Sequence, residues 1–134
     1  MTRFLLDTSA YSLFMRGHRD VQAFLQQADE IFFNPVIIGE LKAGFIKGGN
    51  PRKHEAELRS FLESPRARLI PIDEETADCY AVILNGLWRA GTPVPTNDLW
   101  IAASAMQHGL KVLTADGHYL KIPQVIAEYL QPPV

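Results

Sequence analysis

The sequence predicts an α/β fold in which helices flank a central, mostly parallel sheet. Short apolar runs alternate with longer stretches of helical periodicity along the chain, which is the pattern of strands joined by helices. The 134 residues are 47% hydrophobic, enough for one domain, residues 1–134, with a core of its own. No repeat, low-complexity tract or second domain interrupts this pattern.

The first half of the chain contains two predicted strands and four predicted helices. Thr8 or Ser9 is the expected N-cap of the first helix. Asn34 is the expected cap of the third, with Pro35 at the first helical position, where a missing amide hydrogen is harmless. The predicted elements are strand 3–7, helix 9–15, helix 21–28, strand 31–33, a helix from 35 to the glycines at 48 and 49, and helix 52–63.

The second half continues the alternation. Asp73 is expected to cap a long helix that carries acids in its first turn and Arg89 in its last, as the helix dipole favours. The proline-containing loop 91–95 precedes a helix whose expected cap is Thr96 or Asn97. The predicted elements are strand 68–72, helix Glu74–Ala90, a helix ending near 108, strand Lys111–Thr114 and one more short apolar element after Ile122.

The composition excludes several classes of protein. No apolar run approaches the ~20 residues of a membrane helix, and the acid at position 7 argues against a secretory leader. The single Cys79 cannot form an internal disulfide, so we expect a cytoplasmic protein. The histidines lack zinc-ligand spacing and are expected to be surface residues; they are His18, His54, His108 and His118.

The net charge of -2 does not indicate a nucleic-acid binder, but the charge is unevenly distributed. Residues 42–68 contain seven basic and three acidic residues. This segment could guide a polyanion, or it could be a solvated helix face, and the sequence leaves both interpretations open.

Four carboxylates occupy places where an acid is unusual. Asp7 follows the first apolar run and Asp116 follows the strand Lys111–Thr114, so both fall at carboxyl ends of strands, where parallel sheets bind ligands. Glu40 and Asp98 lie on the apolar stripes of their helices. The stripe of Asp98 consists of Ile101, Ala102 and Ala105.

Most of these acids also have an ordinary explanation when taken singly. Asp7 can cap the helix after it, Asp98 can compensate a helix dipole, and Asp116 can form a turn. Together they indicate a shared cation, because Mg²⁺ and Mn²⁺ prefer carboxylate and water oxygens. We therefore predict an Mg²⁺- or Mn²⁺-dependent enzyme whose catalytic and metal-binding residues are Asp7, Glu40, Asp98 and Asp116.

Four segments carry a resemblance to a known family. They read Leu5-Leu6-Asp7-Thr8-Ser9-Ala10-Tyr11, Gly39-Glu40-Leu41, Thr96-Asn97-Asp98-Leu99-Trp100-Ile101-Ala102-Ala103 and Thr114-Ala115-Asp116. In this order and spacing they resemble the motifs of PIN-domain ribonucleases, and most closely those of the VapC toxins of toxin–antitoxin pairs. The resemblance spans nearly the whole chain and implies a PIN-like fold.

The resemblance also implies an activity and partners. It implies metal-dependent endonucleolytic cleavage of RNA that leaves a 5′-phosphate and a 3′-hydroxyl, a homodimer, and inhibition by a small antitoxin encoded beside the toxin. We expect the antitoxin tail to lie near helix 9–15 and residues 36–45. The expected groove contacts are Tyr11, Phe14 and Met15, although Phe14 could equally be a core residue.

The same resemblance assigns roles by position. It makes Asp7, Asp98 and Asp116 the ligands of the principal metal and lets Glu40 hold the ion through water or orient the nucleophile. Thr8 and Thr114 match hydroxyl residues that support the acids, and Asn97 matches a polar residue beside the site. One departure is Gly117-His118-Tyr119, where many relatives have a further acid and then Phe.

Two other functions fit the sequence less well. A phosphatase of the haloacid-dehalogenase type needs a second Asp two residues after the first, where this chain has Ser9. A non-catalytic binding module of the same fold would have lost ligands, whereas all four acids are present here.

Overall fold

The computed structural model describes residues 1–131 as alternating strands and helices. In chain order these are β1 (Arg3–Leu6), α1 (Thr8–Met15), α2 (Arg19–Gln27), β2 (Glu30–Phe33), α3 (Pro35–Gly48), α4 (Pro51–Leu62), β3 (Ala67–Leu69), α5 (Glu74–Ala90), α6 (Thr96–His108), β4 (Lys111–Thr114), a 3₁₀ turn (Gly117–Lys121) and β5 (Ala127–Tyr129). The strands form one sheet in the order β3-β2-β1-β4-β5, and all neighbouring pairs are parallel. The predicted fold class is confirmed.

Helix α5 and strand β4 have the predicted bounds. The Asp73 carboxylate accepts the Thr76 backbone N–H while the Thr76 hydroxyl accepts the Asp73 backbone N–H, which makes a capping box. Strand β3 is shorter than the predicted strand 68–72. Ile70 makes the last backbone bond to Phe33 (2.9 Å), and Pro71 has no N–H with which to continue the ladder.

Two predicted helix caps are wrong. Helix α1 is capped by Asp7, not by Thr8 or Ser9, so the strand before it ends at Leu6. Helix α6 follows Pro95 and has no side-chain cap. The side chains expected at the caps are used elsewhere: those of Thr8 and Asn97 both donate hydrogen bonds to Glu40.

Strand β1 lies at the centre of the sheet and of the core. Leu5 and Leu6 are fully buried, and the register pairs Leu6 with Leu113 of β4. The carboxyl ends of these two central strands therefore lie side by side, and the residues that follow them meet at one edge of the sheet. Within residues 1–131, no helix has both the length and the apolar character needed to cross a membrane.

Candidate active site

Asp7 is buried at the carboxyl end of β1 and accepts three hydrogen bonds. Its Oδ1 accepts the Ser9 hydroxyl (2.8 Å) and the Ala10 backbone N–H (2.9 Å). Its Oδ2 accepts the Thr114 hydroxyl (2.6 Å). These bonds offset the cost of burying a carboxylate. Asp7 therefore caps α1 and also lies at the candidate site, so the two interpretations of this residue are compatible.

The loop after β4 is fixed by the same hydroxyl groups. The Thr114 Oγ1 accepts the backbone N–H of Asp116 (2.9 Å), and the Ser9 Oγ accepts the backbone N–H of Ala115 (3.0 Å). The position of Asp116 is thus tied to that of Asp7 through short side-chain contacts.

Asp98 lies in the first turn of α6 and is only 8% exposed. The predicted inward stripe is confirmed, because Ile101, Ala102 and Ala105 are buried beside it. The buried Tyr119 hydroxyl donates to Asp98 Oδ1 over a long 3.4 Å. Helix α6 therefore places this carboxylate on its core side, near the loop that follows β4.

His118 lies between Asp98 and Asp116, so this histidine, which was predicted to be a surface residue, is partly exposed and also contacts the acids of the site. Its Nδ1 is 3.1 Å from Asp98 Oδ2 and 2.8 Å from Asp116 Oδ1. The backbone N–H of His118 also donates to Asp116 Oδ1 (2.9 Å), which fixes the start of the 3₁₀ turn. One ligand atom from each of these three residues lies within 4.8 Å of the others, so they form the tightest ligand cluster of the site.

Glu40 is half-buried on α3 and is held from two other helices. The Thr8 hydroxyl of α1 donates to its Oε1 (2.6 Å), and the Asn97 amide of α6 donates to its Oε2 (3.1 Å). Both carboxylate oxygens are therefore oriented by the side chains that the resemblance assigned to support.

The electrostatics of the site reflect burial and crowding of like charges. Burial raises the pKa of Asp7 to about 6, although its hydrogen bonds from Thr114, Ala10 and Ser9 oppose this shift. Burial and the neighbouring Asp116 raise the pKa of Asp98 to about 6, with His118 opposing. Burial and the surrounding carboxylates also raise the pKa of Tyr119 above its usual range, so its hydroxyl remains a donor.

The predicted site residues thus meet at one edge of the sheet, though not as one ligand sphere. Asp98 and Asp116 belong to the tight cluster, whereas Asp7 is outside it, and the charge of Asp116 contributes to the raised pKa of Asp7. Glu40 raises the pKa of Asp98 from its place on α3. The supporting residues Thr8, Asn97 and Thr114 contact the acids directly.

Sequence reasoning missed the roles of Ser9, His118 and Tyr119. A signal for His118 was present, because an Asp often accepts the backbone N–H two residues later and so turns the chain at that point. Ser9 lies within the first motif but has no distinguishing spacing. Nothing local marks Tyr119, whose contact with Asp98 is tertiary.

A cavity of about 420 Å³ opens beside Glu40, between α1, α3 and α4. Its apolar lining includes the predicted groove contacts Tyr11 and Met15. The Tyr11 hydroxyl is buried without a hydrogen-bond partner in the described part of the chain, and burial raises its pKa to about 12. Phe14 lies outside this cavity and packs edge-on against Phe61, in an adjoining shallow depression.

Comparison with known proteins gives consistent matches. The family model described as the PIN domain matches residues 4–125. Ribonuclease VapC4 of Mycobacterium tuberculosis is 34% identical over 90 residues, which cover 67% of this chain and 69% of that protein. Toxin FitB of Neisseria gonorrhoeae is 32% identical over 120 residues, covering 84% and 86%. The crystal structure of DNA-bound VapBC from Salmonella typhimurium has a TM-score of 0.83 at 26% identity, covering 96% of this chain and 98% of that one.

The fold and the acid-lined edge of the sheet are those of a nuclease-type α/β domain. The chain belongs to the PIN-domain family and, within it, to the VapC ribonuclease toxins. The family predicted from the sequence is confirmed, and with it the predicted class of function.

Proposed function

We propose that this protein is the toxin of a type II toxin–antitoxin pair and that it cuts RNA phosphodiester bonds at the site formed by Asp7, Glu40, Asp98 and Asp116. The observation that carries the site assignment is the approach of Asp98 to Asp116, which contributes to the raised pKa of Asp98. Like charges in a partly buried position cost free energy unless they hold a cation or a proton.

The donor set fits a hard divalent ion, and we propose Mg²⁺ or Mn²⁺. Carboxylate oxygens dominate the site, as these ions prefer. Asp98 and Asp116 would be direct ligands, Asp7 would complete the principal set, and Glu40 would act through water. When bound, the ion supplies positive charge that activates water and stabilises the charge developing on the phosphate.

The side chains position the reactants. Glu40 has both oxygens held, by Thr8 and Asn97, so it can orient the attacking water. The water oxygen bonds to phosphorus in line as the bond from phosphorus to the 3′-oxygen breaks, and a proton from water ends on that oxygen. The products are a 5′-phosphate and a 3′-hydroxyl. Single-stranded or looped RNA is the proposed substrate, because its backbone can be splayed into an open cleft.

The cavity between α1, α3 and α4 is the proposed contact for the antitoxin tail. Apolar side chains of the tail would pack on Tyr11, Met15 and Phe45, all of which line it. Glu40 lies on the same wall, so an Arg or Lys of the tail could pair with that acid and block the site.

Growth and co-purification test the toxin assignment. Expressed alone, the protein should arrest growth, and an Asp98→Asn variant that expresses equally well should not. Co-expression with the small protein encoded beside it should restore growth, and the two should purify together. Harmless expression of the soluble, unmutated protein, with no RNA cleavage, would contradict the assignment.

We also propose that the toxin is a cytoplasmic homodimer. The single Cys79 suits a reducing compartment. Large apolar side chains such as Trp88, 72% exposed, are available to a partner surface. Light scattering after size exclusion should give twice the chain mass; the mass of a single chain at micromolar concentration would contradict the dimer.

A further inference from the structure

The imidazole of His118 is in an unusual state for a histidine beside two carboxylates. Its Nδ1 is 2.8 Å from Asp116 Oδ1 and 3.1 Å from Asp98 Oδ2, yet neither contact has hydrogen-bond geometry and the atom is shielded from solvent. The whole side chain is 39% exposed, so its shielded edge is the one that faces the acids. A buried polar atom with two close neighbours and no hydrogen bond calls for an explanation.

The spacing of these atoms is that of ligands around one ion. Adjacent ligands of an octahedral ion with bonds of about 2.0–2.1 Å lie about 2.9 Å apart, and the distances from Nδ1 to the two carboxylates, 3.1 and 2.8 Å, fall on either side of this value. The backbone supports the arrangement, because the His118 N–H donates to Asp116 Oδ1 and the next residue, Tyr119, is anchored in the core.

We propose that His118 Nδ1 is a direct metal ligand together with Asp98 and Asp116, and that it makes the site prefer Mn²⁺ to Mg²⁺. This inference rests on the proposed metal-dependent function. Both ions accept oxygen donors, but Mn²⁺, as a first-row transition ion, also accepts imidazole nitrogen, which Mg²⁺ binds more weakly. An imidazole nitrogen beside the two carboxylates therefore shifts the choice of ion toward Mn²⁺.

Electron spin-echo spectroscopy of Mn²⁺ tests this inference without relying on activity. Chelator-treated full-length protein loaded with Mn²⁺ should show modulation from a directly bound ¹⁴N nucleus. Labelling the unmutated protein with [¹⁵N]histidine should convert this signal to that of ¹⁵N, so the result does not depend on any variant folding. Mn²⁺ that binds without nitrogen coupling would overturn the role of His118 while leaving the acid site intact. Failure of Mn²⁺ to bind at all would overturn both this inference and the proposed metal site.

Metal titrations of matched variants assign the nitrogen and test the preference. In His118→Asn the amide oxygen can replace Nδ1, so ¹⁴N coupling should vanish and the ratio of Mn²⁺ to Mg²⁺ affinity should fall about tenfold or more. His118→Asp should lower the ratio too, by strengthening Mg²⁺ binding. His108→Gln is the control, because His108 is at the other end of α6, about 15 Å along the helix from Asp98, and should change neither property. Persistent coupling or an unchanged ratio in folded His118→Asn would overturn the proposal.

Discussion

The Thr114 hydroxyl donates to Asp7 Oδ2 at 2.6 Å, joining residues 107 apart in the sequence across the carboxyl ends of β1 and β4. The Thr114 Oγ1 also accepts the backbone N–H of Asp116. One threonine therefore satisfies a buried carboxylate and also sets the position of the acid two residues later. Stability and site geometry depend on the same atom.

Replacing Thr114 with valine keeps its shape and removes this hydroxyl. Asp7 then loses a short bond in a buried place, so Thr114→Val should lower the free energy of unfolding by about 1–3 kcal/mol and reduce RNA cleavage. Urea denaturation measures the first effect. Thr92→Val is the matched control, since the Thr92 hydroxyl makes only a long 3.4 Å bond to Ala90. Equal stability of the two variants would contradict this account.

Asp98→Asn should leave the metal-free protein as stable as the unmutated chain, or more stable. Burial and the charge of Asp116 both oppose ionisation of Asp98, so removal of its charge relieves repulsion. The variant should also lose most of the stabilisation that Mn²⁺ or Mg²⁺ adds.

Melting temperatures with and without metal measure both effects. Asp73→Asn is the control, because the Asp73 carboxylate belongs to the capping box of α5, and this variant should keep the response to metal. A marked loss of metal-free stability in Asp98→Asn would show that the residue is structural.

The raised pKa of Asp7 predicts a pH dependence of stability without metal. The carboxyl group titrates near 3.8 when unfolded and near 6 when folded. Between these values the folded state binds more protons, so this group makes stability fall as pH rises from about 4 to 6, and the penalty is complete above that range. At ~1.36 kcal/mol per pKa unit, the penalty is on the order of 2–3 kcal/mol.

The measurement is the difference in unfolding free energy between the unmutated protein and Asp7→Asn, with chelator present. From pH 4.5 to pH 7 this difference should move in favour of the variant, because only the unmutated protein bears the ionisation penalty. A constant difference, or one that moves the other way, would contradict the assignment of the raised pKa to Asp7.

Some basic side chains of the segment 42–68 are held by ion pairs or hydrogen bonds, and others are exposed without an ion pair. Lys42 pairs with Glu55 (3.0 Å) and Arg68 with Glu30 (3.4 Å), while Arg66 donates to two carbonyls at the end of α2. Within residues 42–68, all of which the structure describes, four further basic side chains are exposed without an ion pair: Lys47, Arg52, Lys53 and Arg59. Arg52 and Lys53 lie in the first turn of α4, whose His54 lines the cavity beside Glu40.

Charge-removing variants test whether this segment guides RNA. Arg52→Gln combined with Lys53→Gln should weaken RNA binding and make it less dependent on salt. The slope of log K against log salt concentration should become shallower by up to about one unit for each phosphate that the protein no longer neutralises. Lys111→Gln is the control, because Lys111 begins β4 and so lies at the sheet edge away from the site. If the double variant binds RNA with an unchanged salt slope, the segment 42–68 is a solvated helix face and does not guide RNA.

Some features of this protein were predictable because their causes are local. The bounds of α5 follow from Asp73 and from the charges at the ends of that helix. Asp7 and Asp116 could be placed because they follow apolar runs and because the carboxyl ends of parallel strands share one edge.

Other features depend on tertiary contacts that no local pattern contains. The predicted cap of α6 was wrong because Asn97 contacts Glu40, 57 residues away. The local turn at Asp116 could indicate where His118 begins the 3₁₀ turn, but the contact of His118 with Asp98 depends on how that turn folds against the start of α6. Capping rules describe competition within a few residues, whereas here the decisive partners come from other elements.

The central claim, that the clustered carboxylates hold an ion that RNA cleavage requires, is tested most directly on a single-stranded RNA with purified protein. Cleavage should stop with chelator, return with Mn²⁺ or Mg²⁺, and fall by orders of magnitude in Asp98→Asn, because the charge at the ion is removed while the shape is kept. Cleavage that persists in Asp98→Asn or in the presence of chelator, with contaminating nuclease excluded, would contradict it.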